Sequence, residues 1–153
     1  MDRYVNNNFN PNISASIGVD FASIKSYRAK SGEKCRIKIW DTCGLEKAKS
    51  LTKQFLNNAD GVILGYDVTN RGSFANINSW LWHIGDSVGL DIPIIIVGNK
   101  IDVARLIEAE DAQSLAEENE RSYHETSAKT GEGVKQMMDD IFEQAYTFVK
   151  AQQ

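Results

Sequence analysis

Cysteine is scarce in this chain. There are two, Cys35 and Cys43, among 153 residues. They are not spaced as CxxC and no histidine stands at ligand spacing from them, so the pattern of a structural zinc site is absent. Both read as reduced thiols of a cytoplasmic protein. Long apolar runs are missing too. The longest, residues 92–98, has the length of a strand, whereas a membrane-spanning helix needs about 20 apolar residues. The opening MDRYVNNNFN is polar and lacks the apolar core of a secretory signal. The last five residues contain no cysteine, so no prenyl anchor is expected on this chain. Basic charge is not in excess: the formal net charge is −4 and the pI about 5.2, which argues against a nucleic-acid partner. What is present is an ordinary globular balance, 42% hydrophobic and 25% charged, read as a single domain over residues 1–153.

The hydrophobic pattern alternates strands with helices. Residues 6–16, rich in Asn and Ser, read as a loop. Residues 20–28 and 34–41 read as two strands joined by the turn Lys30, Ser31, Gly32, Glu33. In the second strand Ile37 and Ile39 alternate with Arg36, Lys38 and Trp40, which predicts one apolar face and one covered by long side chains. Residues 42–59 read as a polar loop with a short helical stretch. Residues 61–68 and 92–99 are near-continuous apolar runs of the kind buried on both faces of a sheet. Pro93 stands near the start of the second run, where a missing N–H does least harm. Helical spacing of apolar residues marks 73–88, 109–120 and 134–149, with a short strand at 122–126. This order implies an α/β fold with a mostly parallel sheet. Ligands of such sheets bind beyond the carboxyl ends of the strands. Asp41, Asn99 and Ser127 all fall there. The lone His83 and His124 read as surface or helix-end residues.

Two short motifs follow their own strands in order: Asn99-Lys100-Ile101-Asp102 and Ser127-Ala128-Lys129. They resemble the NKxD and SAK motifs of the Ras superfamily of GTPases. The resemblance implies that Asp102 accepts hydrogen bonds from N1–H and the exocyclic amine of guanine. Adenine does not offer that pair of donors, so a carboxylate it leaves unpaired discriminates strongly. It further implies that the Lys100 stem lies across the purine, that Asn99 ties the neighbouring loops together, and that backbone N–H groups of Ser127, Ala128 and Lys129 reach the guanine O6.

Other stretches resemble the Rab branch: Ile17-Gly18-Val19-Asp20-Phe21, then Tyr66-Asp67-Val68-Thr69, and the run at residues 73–81. Trp40-Asp41-Thr42-Cys43-Gly44-Leu45-Glu46 is similar to the family's second switch, WDTAGQE. The implied fold is the three-layer, Rossmann-like P-loop NTPase fold of small GTPases. Asp41 and Ser16 would help hold Mg²⁺, and Gly44 would let its N–H approach the γ-phosphate of GTP. Phe21, Trp40 and Phe55, with Ile17, would contact Rab effectors or regulators. A role in vesicle traffic follows, with the protein peripheral to endomembranes through its partners.

The departures from the family pattern are equally specific. No GxxxxGK[ST] phosphate loop occurs in the chain, and the first strand that precedes it in the family is missing. Leu45 stands where the family has the glutamine that orients the attacking water. The chain opens on Met1 to Val5, similar to the last turn of the family's first helix. Three readings follow: a homologue defective in GTP or GDP binding and in hydrolysis, a truncated form of an active enzyme, or a nucleotide-independent scaffold or decoy. Loss of the first strand is expected to leave two sheet edges open to strand exchange or to a partner's strand, unless the edges pair with each other.

Overall fold

Four consecutive β-branched residues, Ile94 to Val97, form the spine of the molecule. The computed structural model describes residues 1–12, 19–42 and 55–153, and of Asp20 and Lys25 the backbone alone. Strand β4 (Ile94–Asn99) has both faces buried. Side chains alternate across a strand, so Ile94 and Ile96 enter one core while Ile95 and Val97 enter the other. Burying one such side chain stabilises the fold by roughly 1.5–3 kcal/mol.

β4 is central in a parallel sheet. It pairs on one side with β3 (Val62–Asp67) and on the other with β5 (Ser122–Thr126). The first core faces α3 (Ile77–Val88) and α4 (Ala109–Glu118), through Leu81, Ile84, Ala112 and Ala116. The second faces α5 (Val134–Ala151), through Met137, Met138, Ile141 and Phe142. Helices therefore cover both faces, the three-layer arrangement expected. The helical run at 73–88 is not continuous. It divides into α2 (Arg71–Ala75) and α3, with Asn76 as the boundary. Asn70 caps α2 by accepting from the Ser73 N–H at 3.1 Å, which starts the run two residues earlier than the apolar spacing suggested. The strand read from residue 92 begins at Ile94, after Pro93.

β1 (Val19–Arg28) and β2 (Lys34–Thr42) make a separate antiparallel hairpin. Gly32, at φ +89°, donates to the Ala29 carbonyl and closes the turn in a conformation glycine adopts freely. The register shifts between Ile24 and Tyr27, an irregularity that the alternation did not signal. Ile24, Tyr27, Ile37 and Ile39 lie against the α5 core. The opening turn α1 (Asp2–Asn6) packs there too, with Tyr4 edge-on to Phe142 at 5.7 Å.

The two sheets do not merge. β2 is bonded only to β1, and β3 only to β4, among the described residues. The direct pairing of these two edges, open as an alternative from the sequence, does not occur. On β3 the edge side shows the consequence. Ile63 shares a face with the fully buried Ile95, yet is 38% exposed, and a Cβ on Gly65 would meet nothing within 4 Å.

Candidate functional site

Three polar residues stand in one row at the carboxyl ends of the parallel strands. Asp67 is in register with Asn99, and Asn99 with Thr126. The loops that follow β4 and β5 grow from this row. Asn99 ties them together: its Oδ1 accepts from the Ala128 N–H at 3.1 Å and from the Thr126 hydroxyl at 3.3 Å. Its amide NH₂ makes no hydrogen bond among the described residues and can donate to a ligand.

Lys100 adopts φ +72°, uncommon for a residue with a Cβ. Its ammonium lies 2.6 Å from the Asp67 carboxylate. Asp102 follows at the end of the turn. Its carboxylate accepts from the Ser127 hydroxyl at 2.6 Å and lies 3.6 Å from the Lys129 ammonium, with the side chain 12% exposed. Ser127 is fully buried, and its Oγ also accepts from the Thr130 N–H at 3.1 Å. The NKID and SAK segments are therefore brought together by direct bonds in the protein itself. The Ser127 N–H is taken by the Glu132 carbonyl at 3.0 Å and the Ala128 N–H by Asn99, so of the three N–H groups expected to reach O6 the arrangement leaves that of Lys129, together with a carboxylate and an amide, to meet the edge of a planar heterocycle.

Electrostatics keep both acids ionised. The Ser127 hydrogen bond and the Lys129 charge hold Asp102 below the ordinary aspartate value, against the opposing effect of burial. Burial pushes Asp67 up, but Lys100 and the hydroxyl and N–H of Thr69 more than reverse it, so it too lies low. A depressed folded-state pKa stabilises the protein above the unfolded value and is lost as pH falls through the folded one. The melting temperature is therefore expected to drop as pH is lowered from about 4. In Asp67→Asn the slope of that drop is expected to be shallower. Thermal unfolding by circular dichroism between pH 6 and 3 checks this, and parallel curves would remove Asp67 from the account.

Asp67 is the site residue that the motifs did not single out. The signal was available, because it ends a buried strand as Asn99 does. His124, read as a surface or helix-end residue, lies instead within β5, with its Nε2 2.8 Å from the Asp140 carboxylate. Behind the row, Arg105 holds Glu125 through two bonds of 2.8 and 3.2 Å, and the Tyr123 hydroxyl donates to the same carboxylate at 3.0 Å. This network fixes β5 beneath the SAK loop.

A second cluster lies on the hairpin. Phe21 and Trp40 stack at 4.6 Å, and Trp40 and Phe55 at 5.2 Å. Phe21 and Trp40 are each 49% exposed, on the hairpin face opposite Ile37 and Ile39. The alternation correctly placed Trp40 off the apolar face. Asp41 is exposed at the end of β2, in the other sheet from Asn99 and Asp102. Ser16, Ile17, Gly44 and Leu45 lie outside the described residues. No group of three or more His, Cys, Asp or Glu side chains that could hold a metal ion occurs among the described residues. No helix among them is long and apolar enough to cross a membrane.

A family model described as Ras family matches residues 1–147. The chain belongs to the Ras family. Rab proteins are among its relatives at 30% identity or more over most of the chain, and it is a Rab-type small GTPase homologue. It is 39% identical to Ras-related protein Rab-4 of Dictyostelium discoideum over 88% of this chain and 66% of that protein. It is 36% identical to Ras-related protein Rab-10 of Caenorhabditis elegans, over 92% of this chain and 70% of that protein. Against human Rab-37 it is 38% identical, over 79% of this chain and 54% of that protein. The chain thus spans between about half and somewhat over two thirds of the length of these Rab relatives. Ras-family membership implies GTP, GDP and Mg²⁺ as ligands in general.

Proposed function

We propose that this Rab-type chain reads guanine through Asn99, Lys100, Asp102 and the Ser127–Lys129 loop, but grips the phosphates poorly. The observation that carries this reading is a pair of direct bonds, the Ala128 N–H donating to Asn99 and the Ser127 hydroxyl donating to Asp102, which join the two base-reading segments. The 153 residues contain no GxxxxGK[ST]. A charge-assisted hydrogen bond contributes about 1.5–3 kcal/mol, so lacking about four of them removes on the order of 6 kcal/mol. That weakens affinity by about 10⁴-fold or more. Leu45, with no polar group to orient water, makes hydrolysis slow even where nucleotide is held.

The deciding experiment titrates the chain with a fluorescent GDP or GTP analogue in the presence of Mg²⁺, with folding followed by circular dichroism. Folded protein that does not saturate below about 100 μM, roughly −5.5 kcal/mol, is the expected outcome. Tight, Mg²⁺-dependent and guanine-selective binding would overturn the claim of a poor phosphate grip.

The cluster of Phe21, Trp40 and Phe55, in which Phe21 and Trp40 are exposed, favours a second activity, binding of Rab effectors or regulators in vesicle traffic. Aromatic side chains that are rigid, large and already paired make effective contact anchors. Binding of this kind would bring the protein to endomembranes through its partners. Pull-down of a Rab effector by the chain, unchanged by GDP or GTP and lost in Trp40→Ala, would support nucleotide-independent binding. Retention in Trp40→Ala would sink the role of the stack.

The separate edges of β2 and β3 also favour association, by strand exchange between copies or by a strand from a partner. Ile63→Lys places a charge on the exposed edge side. It is expected to reduce concentration-dependent association in sedimentation velocity, with little change in melting temperature. Equal association of the two proteins would argue that the β3 edge is not the contact.

A further inference from the structure

Arg3 reaches across 125 positions of sequence to the SAK loop. Its Nε donates to the Ala128 carbonyl at 2.7 Å and its Nη2 to the Lys129 carbonyl at 2.6 Å. Its Nη1 donates to the Asn7 carbonyl and to Asn7 Oδ1, both at 3.1 Å. Asn7 closes α1 at φ 50°, which turns those acceptors back towards Arg3. Tyr4, packed on Phe142 beside α5, anchors the same turn. A planar guanidinium with several fixed N–H groups is suited to hold two consecutive carbonyls at once.

We propose that Arg3 is a positioning residue for base recognition, setting the orientation of the two peptide planes that follow Ala128 and Lys129. The inference rests on the guanine-reading proposal above. A trans peptide points its C=O and the next N–H in opposite directions. With the Ala128 and Lys129 carbonyls held by Arg3, the N–H groups of Lys129 and Thr130 are turned to the other side. The Thr130 N–H meets Ser127 Oγ at 3.1 Å, and Ser127 Oγ donates to Asp102 at 2.6 Å. One chain of bonds therefore runs from Arg3 to the carboxylate that would read N1 and the exocyclic amine. The Lys129 N–H, on the same side, is a donor for O6. Asn99 grips the loop from within, through the Ala128 N–H. Arg3 grips it from behind, and its positive charge on the carbonyls polarises the peptides so that their N–H groups donate more strongly.

The test uses the 153-residue protein and the variants Arg3→Ala and Arg3→Lys, read by amide NMR and hydrogen exchange. Arg3→Ala is expected to speed exchange of the Thr130 amide by about 10-fold or more, and to shift the Lys129 and Thr130 resonances. The amides of β3 to β5 are expected to keep their protection. Arg3→Lys, which keeps the charge but not the two-pronged grip, is expected to restore part of the effect. Unchanged exchange at Thr130, or an equal rise in every strand, would overturn the inference.

A second arm separates this inference from the reading on which it rests. GDP and inosine diphosphate share the 6-oxo group. Arg3→Ala is expected to weaken both by a similar factor, about 10-fold, and to spare a 6-amino purine diphosphate. Equal weakening of all three would overturn the O6 role. Failure of the parent protein to bind any of them would remove the guanine reading itself and with it base positioning, whereas the amide data would still decide whether Arg3 holds the loop.

Discussion

Gly133→Ala is expected to destabilise the protein by about 4 kcal/mol or more, a severe effect for one methyl group. Gly133 is the N-cap residue before α5, at φ +68°, where an L side chain already costs roughly 1–2 kcal/mol. A Cβ there would also lie 2.1 Å from the Glu125 carbonyl oxygen. That oxygen cannot step aside, because Glu125 is in β5, in register with Gly98 of the central strand and clamped by Arg105. For a domain of this size the melting temperature is expected to fall by about 10 °C or more. Gly131→Ala is the matched control. It shares a positive φ, +91°, but its Cβ would meet only Arg3 Cδ, at 3.7 Å, an ordinary van der Waals contact. Its cost is expected to stay near the roughly 1–2 kcal/mol of the backbone alone. Chemical denaturation of both variants decides the matter. Equal losses would mean that β5 yields to the methyl group and that the close approach at Gly133 carries no weight.

Asp102→Ala is the second large effect, on recognition rather than stability. The parent protein is expected to prefer guanosine monophosphate over adenosine monophosphate by about 10²-fold or more, since only guanine satisfies a carboxylate in that position. In the variant the preference is expected to fall to near unity. Ligand-observed NMR suits the weak affinities involved. Some stability is also lost, because the buried Ser127 hydroxyl no longer has Asp102 as acceptor, at a cost of about 1 kcal/mol. A guanine preference unchanged in Asp102→Ala would mean that the base is read elsewhere, and the proposed function would fall with it.

Local pattern was enough to place most elements and their faces, though not the break at Asn76 or the register shift in β1. The apolar run at 94–97 required a strand buried on both sides, and the alternation through Ile37, Ile39 and Trp40 put the tryptophan outward. Both follow from the two-residue period of a strand, which needs only neighbouring residues to be read. The positions of the NKID and SAK motifs after their strands were legible in the same way. What those faces and loops meet became visible in the folded molecule. It placed Asp67 on Lys100 and joined Ser127 to Asp102. It brought Phe21, Trp40 and Phe55 into one stack, kept the edges of β2 and β3 apart, and carried Arg3 to the back of the SAK loop. A period specifies which way a side chain points, whereas these contacts depend on the register and docking of elements distant in sequence, which no local pattern encodes.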